Sequence, residues 1–186
     1  MRFKESKQAY RVGTKGVIKY ECVDDYLDHT SFLRISEVFE RNDVAWNFFG
    51  GTAELDDDPK QFLFKHEIHQ NNEWISPLAI FLNPLLAKIG VMAIHRIRVN
   101  LLTRSEKNIE SRYHNDYEVD VPDKIDLWST SIYYLNDCDG YTKLEDGTVI
   151  KSKANRLLTF PANVNHLGAS CTDKKRRMVI NLNYIK

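Results

Sequence analysis

The sequence has no run of 18 apolar residues, so no helix is expected to span a membrane. No apolar stretch follows Met1, so no secretory signal is expected. Cysteine is scarce. Cys22, Cys138 and Cys171 are odd in number and far apart, which reads as reduced thiols in a cytoplasmic setting. Neither sign of charge is in excess: 26 Lys+Arg balance 26 Asp+Glu, which argues against a general nucleic-acid binder. There is no repeat and no low-complexity tract. What remains is an ordinary globular composition, 42% hydrophobic and 28% charged over 186 residues. That length fits one domain, 1–186, which buries roughly 70% of its unfolded surface and needs no staple.

The two halves differ in texture. Residues 17–23 read as a short strand. Residues 31–39 place Phe32, Leu33, Ile35, Val38 and Phe39 at helical spacing, with Ser31 as the expected N-cap. Gly50, Gly51 and the acidic stretch 54–59 mark a loop, and 61–68 reads as another strand. Ser76 and Pro77 open a helix that runs to about Lys88 and stops at Gly90. Beyond Gly90 the period becomes two. Along 94–102, Ile97, Val99 and Leu101 share one face, and Arg96, Arg98, Asn100 and Leu102 the other. Strands are expected at 127–135 and 156–160. Along 177–184, Met178, Ile180, Leu182 and Tyr184 face one way, and Arg177, Val179, Asn181 and Asn183 the other. The pattern predicts helices packed on an antiparallel β core.

Three residues stand out as chemistry. His114 and Asp116 form an H-x-D, and in an extended segment both side chains point to one side. His166 follows 52 residues later, after the strand 156–160 and its turn. Two imidazoles and one carboxylate make the facial triad of non-haem Fe(II) oxygenases, which leaves coordination positions open. H-x-D alone is weak, since two solvated polar residues beside Tyr113 and Tyr117 would look the same. Arg177 adds to it: it opens a strand whose own face is polar, and a guanidinium fork suits a carboxylate. Arg176 is its rival if the register slips by one, but it shares a face with the apolar Met178 and Ile180.

Five segments carry a resemblance: His114-Asn-Asp116, Ser131-Ile-Tyr-Tyr-Leu-Asn136, Asn155-Arg-Leu-Leu-Thr-Phe160, His166 with Gly168, and the strand from Arg177 to Tyr184. Together they resemble the Fe(II)- and 2-oxoglutarate-dependent oxygenases of the prolyl 4-hydroxylase-like superfamily. They are particularly similar to small 2-oxoglutarate oxygenases of marine bacteriophages. The Ile-Tyr-Tyr-Leu-Asn and Arg-Leu-Leu-x-Phe strings occur in the same order in the hypoxia-sensing prolyl hydroxylases. The resemblance implies a mainly β, α+β fold: a double-stranded β-helix (jelly roll) over 91–186, with helices and supporting strands of 1–90 packed on it. It implies His114, Asp116 and His166 as iron ligands and as the catalytic set. It implies Arg177 as the partner of the distal carboxylate of 2-oxoglutarate, with the Tyr134 hydroxyl on the same carboxylate. Asn181 is implied as a polar neighbour, and Asn100 is a further pocket candidate. Leu102 stands where some relatives have a tyrosine.

The implied cofactor is Fe(II), with 2-oxoglutarate and O₂ as cosubstrates and ascorbate as an auxiliary reductant. The implied reaction hydroxylates a C–H bond and yields succinate and CO₂. The expected prime substrate is a prolyl residue of a peptide or protein, because the loops 103–113 and 137–141 read as mobile flanks of an open mouth. A free amino acid or other small molecule is the alternative. A non-catalytic jelly-roll binding protein and a cupin-like metalloenzyme without 2-oxoglutarate stay open. No nucleic-acid or membrane partner is expected, the oligomeric state is unknown, and the setting is the cytoplasm, the host's if phage-encoded. Other signals read as structural: His66 and His69, His95, His29, the basic run 174–177, and the Asp-Gly turns at Gly140 and Gly147.

Overall fold

The structure, a computed structural model, describes residues 18–51, 60, 62–117 and 127–186. The acidic loop 54–59, and residues Val17 and Gln61 with which two strands were expected to start, lie outside these. In chain order the elements are β1 (Glu21–Val23), α1 (His29–Val38), β2 (Asn47–Phe49), β3 (Leu63–Gln70), β4 (Glu73–Trp74), a 3₁₀ turn (Pro77–Leu82), α2 (Asn83–Ile89), β5 (Ala93–Thr103), β6 (Trp128–Tyr134), β7 (Tyr141–Leu144), β8 (Val149–Lys151), β9 (Arg156–Pro161), β10 (His166–Gly168) and β11 (Arg176–Ile185).

Strand alternation builds the molecule. The larger sheet runs β1-β9-β6-β11-β5-β3-β2, with β4 paired to β3; the smaller sheet is β10-β7-β8. Adjacent strands are antiparallel in both, for example β11 with β5 and with β6. This is a mainly β, α+β jelly roll. On the outer face of the larger sheet, Ile97, Val99, Met178, Ile180, Leu182 and Tyr184 pack with Ile35, Phe39, Leu82, Leu85 and Ile89 of the helical segments. Between the sheets a second core joins Ile132, Tyr134, Leu158 and Val179 to Leu144 and Ile150. The inward faces of β5 and β11 are the polar ones, so polar side chains line the interior beside that core. Among the described residues, no helix is long and apolar enough to cross a membrane.

Two helix boundaries differ from expectation. The N-cap of α1 is Asp28, not Ser31: Asp28 Oδ1 accepts the Ser31 N–H at 3.0 Å from extended backbone, which puts Ser31 inside the first turn. His29 therefore opens the helix. The helix expected over 77–88 is split. Ser76 caps a 3₁₀ turn, and Pro84, which lacks an N–H, restarts the chain as α2. Gly90, at φ 80°, ends it in the left-handed conformation that glycine adopts without strain.

Asn155 fastens the N-terminal segment to the barrel. Its side chain accepts from the Leu27 N–H at 2.9 Å and from the Tyr133 hydroxyl at 2.6 Å, and donates to the Leu27 carbonyl at 2.8 Å.

Candidate functional site

His114 and His166 meet through the backbone. They form an antiparallel bridge, in which His114 N–H donates to His166 O at 3.0 Å and His166 N–H returns to His114 O at 2.9 Å. Their rings lie 4.7 Å apart. Each Nδ1 is turned to a carbonyl two residues away, Arg112 O at 3.0 Å and Val164 O at 3.4 Å. An Nδ1–H held there leaves the Nε2 lone pair free. Asp116 Oδ2 comes within 3.7 Å of His166 Nε2. Candidate ligand atoms of His114, Asp116 and His166 all lie within 4.8 Å of one another, and no other such cluster occurs among the described residues.

Asp116 is held from the larger sheet. Arg96 donates to Oδ1 at 3.0 Å, and the amides of Asn181 and Asn183 donate to Oδ2 at 3.0 and 3.2 Å. Burial by itself raises the Asp116 carboxyl. The pull of His166, Arg96 and Arg98 outweighs it and holds the group well below the usual carboxylate range. His166 is pushed down to about 4 by burial, so it is neutral at pH 7 and the two arginines hold the charge there. A neutral His166 imidazole beside an ionised Asp116 carboxylate is the donor state a divalent cation needs, and with the His114 imidazole the donor set fits one.

Arg177 lies along the same strand face, only 2% exposed. Its Nε donates to Ser152 Oγ at 2.8 Å and its Nη2 to Thr142 Oγ1 at 2.9 Å. The Tyr134 hydroxyl donates to the same Thr142 oxygen at 2.9 Å, and the guanidinium sits 5.6 Å from the centroid of the Tyr134 ring. Thr142 therefore accepts twice and keeps its own proton to offer into the pocket. Burial lowers Arg177 from its ordinary value. Arg176 points the other way and pairs with Glu40 at 2.6 Å on the surface. One pocket between the sheets is lined by His114, His166, Arg98, Asn100, Asn181, Thr142 and Arg177.

Asn181 sits four residues from Arg177, about 13 Å at ~3.3 Å per residue. Its amide goes to Asp116, so it neighbours the carboxylate of the cluster rather than Arg177. Asn100 lines the pocket with its Oδ1 unpartnered. Thr142 and Ser152 had no sequence signal, because nothing local marks a strand threonine as the rest of a distant arginine. Arg98 and Asn183 did have one, since the alternation puts them on the inward faces.

The loop 103–113 is not the mobile flank that was expected. Ser170 bonds Ser105 Oγ at 2.6 Å, the Asn108 amide at 2.7 Å and the Ile109 N–H at 2.8 Å, and Ser111 N–H donates to Gly168 O at 2.9 Å. The loop 137–141 is likewise tied, with Asp139 accepting from the Thr172 N–H at 2.7 Å. His66 spans Ala45 O and Ser76 Oγ, both at 2.8 Å, which is a structural role. Burial pushes the Cys171 thiol up to about 11, so it stays protonated.

No protein-family model and no curated protein matches the sequence. Solved structures match in fold. The non-heme alpha ketoglutarate dependent epimerase SnoN from nogalamycin biosynthesis superposes with TM-score 0.62 at 12% identity, over 91% of this chain and 78% of that one. A Pseudomonas putida prolyl-4-hydroxylase gives 0.59 at 14% identity, over 91% and 94%. A Trichoplax adhaerens prolyl hydroxylase, in complex with a hypoxia inducible factor oxygen degradation domain peptide fragment, gives 0.60 at 15% identity, over 89% and 83%. The shared property is the fold.

Proposed function

We propose that this protein is an Fe(II)- and 2-oxoglutarate-dependent dioxygenase that hydroxylates a C–H bond. One observation supports the reading: both histidines of a His–Asp–His set line the same pocket as the buried Arg177, which meets no carboxylate among the described residues. His114, Asp116 and His166 would hold the iron through Nε2, a carboxylate oxygen and Nε2. Bound iron with 2-oxoglutarate and O₂ would supply the oxidative decarboxylation to succinate and CO₂ that puts oxygen on the substrate. The chain's own part is positional. Arg177 and the Thr142 hydroxyl bind the distal carboxylate, Tyr134 supports them through its hydroxyl on Thr142 and its ring beside the guanidinium, and Arg96, Asn181 and Asn183 aim Asp116. Val179, Ile132 and Leu102 keep water from the inner wall. The test is succinate release from 2-oxoglutarate with Fe(II) and ascorbate, measured with and without candidate substrates. No succinate in any arm, and no metal binding, would sink the proposal.

For the prime substrate, a prolyl residue is the reading supported by the Ile-Tyr-Tyr-Leu-Asn and Arg-Leu-Leu-x-Phe strings and by the fold shared with two prolyl hydroxylases. A small-molecule substrate is supported by a different observation. The expected mobile flanks are pinned.

Gly140 makes room for Arg177. A Cβ there would meet Arg177 Cδ at 2.7 Å and the Ser170 carbonyl at 2.9 Å. Gly140→Ala is therefore expected to displace the guanidinium and raise the 2-oxoglutarate KM about 10-fold or more, with overpacking costing ~1–3 kcal/mol. An unchanged KM in the folded variant would show that the distal carboxylate lies elsewhere.

A further inference from the structure

We propose that Arg98 is the recognition residue for a carboxylate on the prime substrate, separate from the carboxylate held by Arg177. The inference rests on the dioxygenase reading above. Arg98 is 8% exposed, on the pocket face of β5. It lies directly across from Asn181 on β11 and from Glu67 on β3. Among the described residues its Nε has no hydrogen-bond partner. A buried guanidinium N–H without a partner is costly, and an anion is what best restores it.

Among the described residues, no carboxylate fills that role. Asp116 is taken by Arg96, Asn181 and Asn183. Glu67 turns one oxygen to Lys65 at 3.3 Å, and its other oxygen is buried and also unpartnered, so the two facing residues are not joined. Both act on Arg98 only at longer range, and burial lowers it to about 10, which leaves it charged at neutral pH. The pocket therefore has a cation at each end. Arg177 pairs in register with Leu102, and Arg98 is four residues further along β5, about 13 Å at ~3.3 Å per residue. One small diacid anchored at Arg177 does not also need Arg98.

The surrounding acceptors narrow the chemistry. Asn100 Oδ1 and Asn181 Oδ1 are buried, have no partner among the described residues, and belong to the same pocket lining. The Asn181 orientation is fixed, because its amide must donate to the Asp116 carboxylate. A guanidinium beside two free carbonyl oxygens fits a carboxylate flanked by an N–H, as in a free α-amino or α-imino acid or the C-terminal residue of a peptide.

Calorimetric titration of the protein loaded with Mn(II) and 2-oxoglutarate tests this without turnover. The probes are acetate, free L-proline, L-proline methyl ester, a peptide with a free C-terminal alanine, and an internal-proline peptide blocked at both ends. Carboxylate probes should bind the parent at least about 10-fold more tightly than the ester or the blocked peptide. Free proline against the C-terminal peptide tells which source of carboxylate fits. Arg98→Gln should weaken the acids about 10- to 100-fold, leave the ester alone, and leave 2-oxoglutarate affinity within about 3-fold; Arg98→Lys should fall between. If Arg98→Gln does not fold, the acid-against-ester comparison on the parent decides. Ester or blocked peptide binding as well as the acids, no acid binding at all, or a variant that loses 2-oxoglutarate instead would each overturn the proposal. A parent that fails to bind 2-oxoglutarate at all brings down the dioxygenase reading first, and this one with it.

Discussion

Asp116→Ala is expected to lose metal binding and at least about a thousand-fold of 2-oxoglutarate turnover, because the only carboxylate in the cluster is gone. The same change should also weaken the fold. Asp116 is buried and accepts from Arg96, Asn181 and Asn183, so its removal strands a largely buried guanidinium and two buried amides. Leaving one member of a buried pair costs about 3–5 kcal/mol. The two losses are separable. Circular dichroism and chemical denaturation report the fold, and Mn(II) titration at low temperature reports the site in molecules that remain folded. Asp116→Asn keeps the volume but turns a donor toward the amides of Asn181 and Asn183, so it should lose metal at a smaller cost in stability. A folded Asp116→Ala protein that binds metal and turns over like the parent would remove the metal proposal altogether.

The second large effect is expected at Arg177. Arg177→Ala should raise the 2-oxoglutarate KM by about 30- to 1000-fold, the equivalent of losing a charge-assisted pair of about 2–4 kcal/mol in a buried site. The geometry makes the expectation specific. Ser152 and Thr142 each accept from the guanidinium and fix its plane, yet neither neutralises its charge. Arg177→Lys should recover part of the affinity, since it keeps the charge and loses the fork. Arg176→Ala should change KM less than about 3-fold, because its pair with Glu40 is on the surface and such pairs contribute roughly 0–1 kcal/mol. A loss that appears in Arg176→Ala and not in Arg177→Ala would mean the wrong guanidinium has been assigned to the carboxylate.

Much of the architecture was legible because it is local. Period two along 94–102 and 177–184 sorts residues by face without reference to any other strand. The apolar sets are the ones that meet the helices, and the polar sets turn inward. Gly90 and the Asp-Gly turn at Gly147 are equally local, since φ values of 80° and 88° select glycine wherever they occur. The misses are local rules overridden by neighbours. Ser31 is a good cap residue, but Asp28 stands three positions upstream with its carboxylate already on the Ser31 N–H. Pro84, which lacks an N–H, splits the segment 77–89.

The sequence by itself determined which residues could share a face: His114 with Asp116, Arg177 with Asn181 and Asn183, Arg98 with Asn100. Those are consequences of an extended backbone, in which side chains alternate at every residue. Which faces meet was decided only in three dimensions. The bridge that sets His166 against His114 joins residues 52 apart, and Ser152 and Thr142 reach Arg177 from 25 and 35 residues away. The expectation that loop 103–113 moves failed for the same reason. A polar, glycine-free segment looks mobile until Ser170, far along the chain, offers it a hydroxyl and a carbonyl. Arg98 shows the difference most plainly. Its face could be read from period two, but that it is buried without a bond to any described carboxylate depends on where Asp116, Glu67 and their own partners come to rest, and pairing between distant segments is not encoded in any one of them.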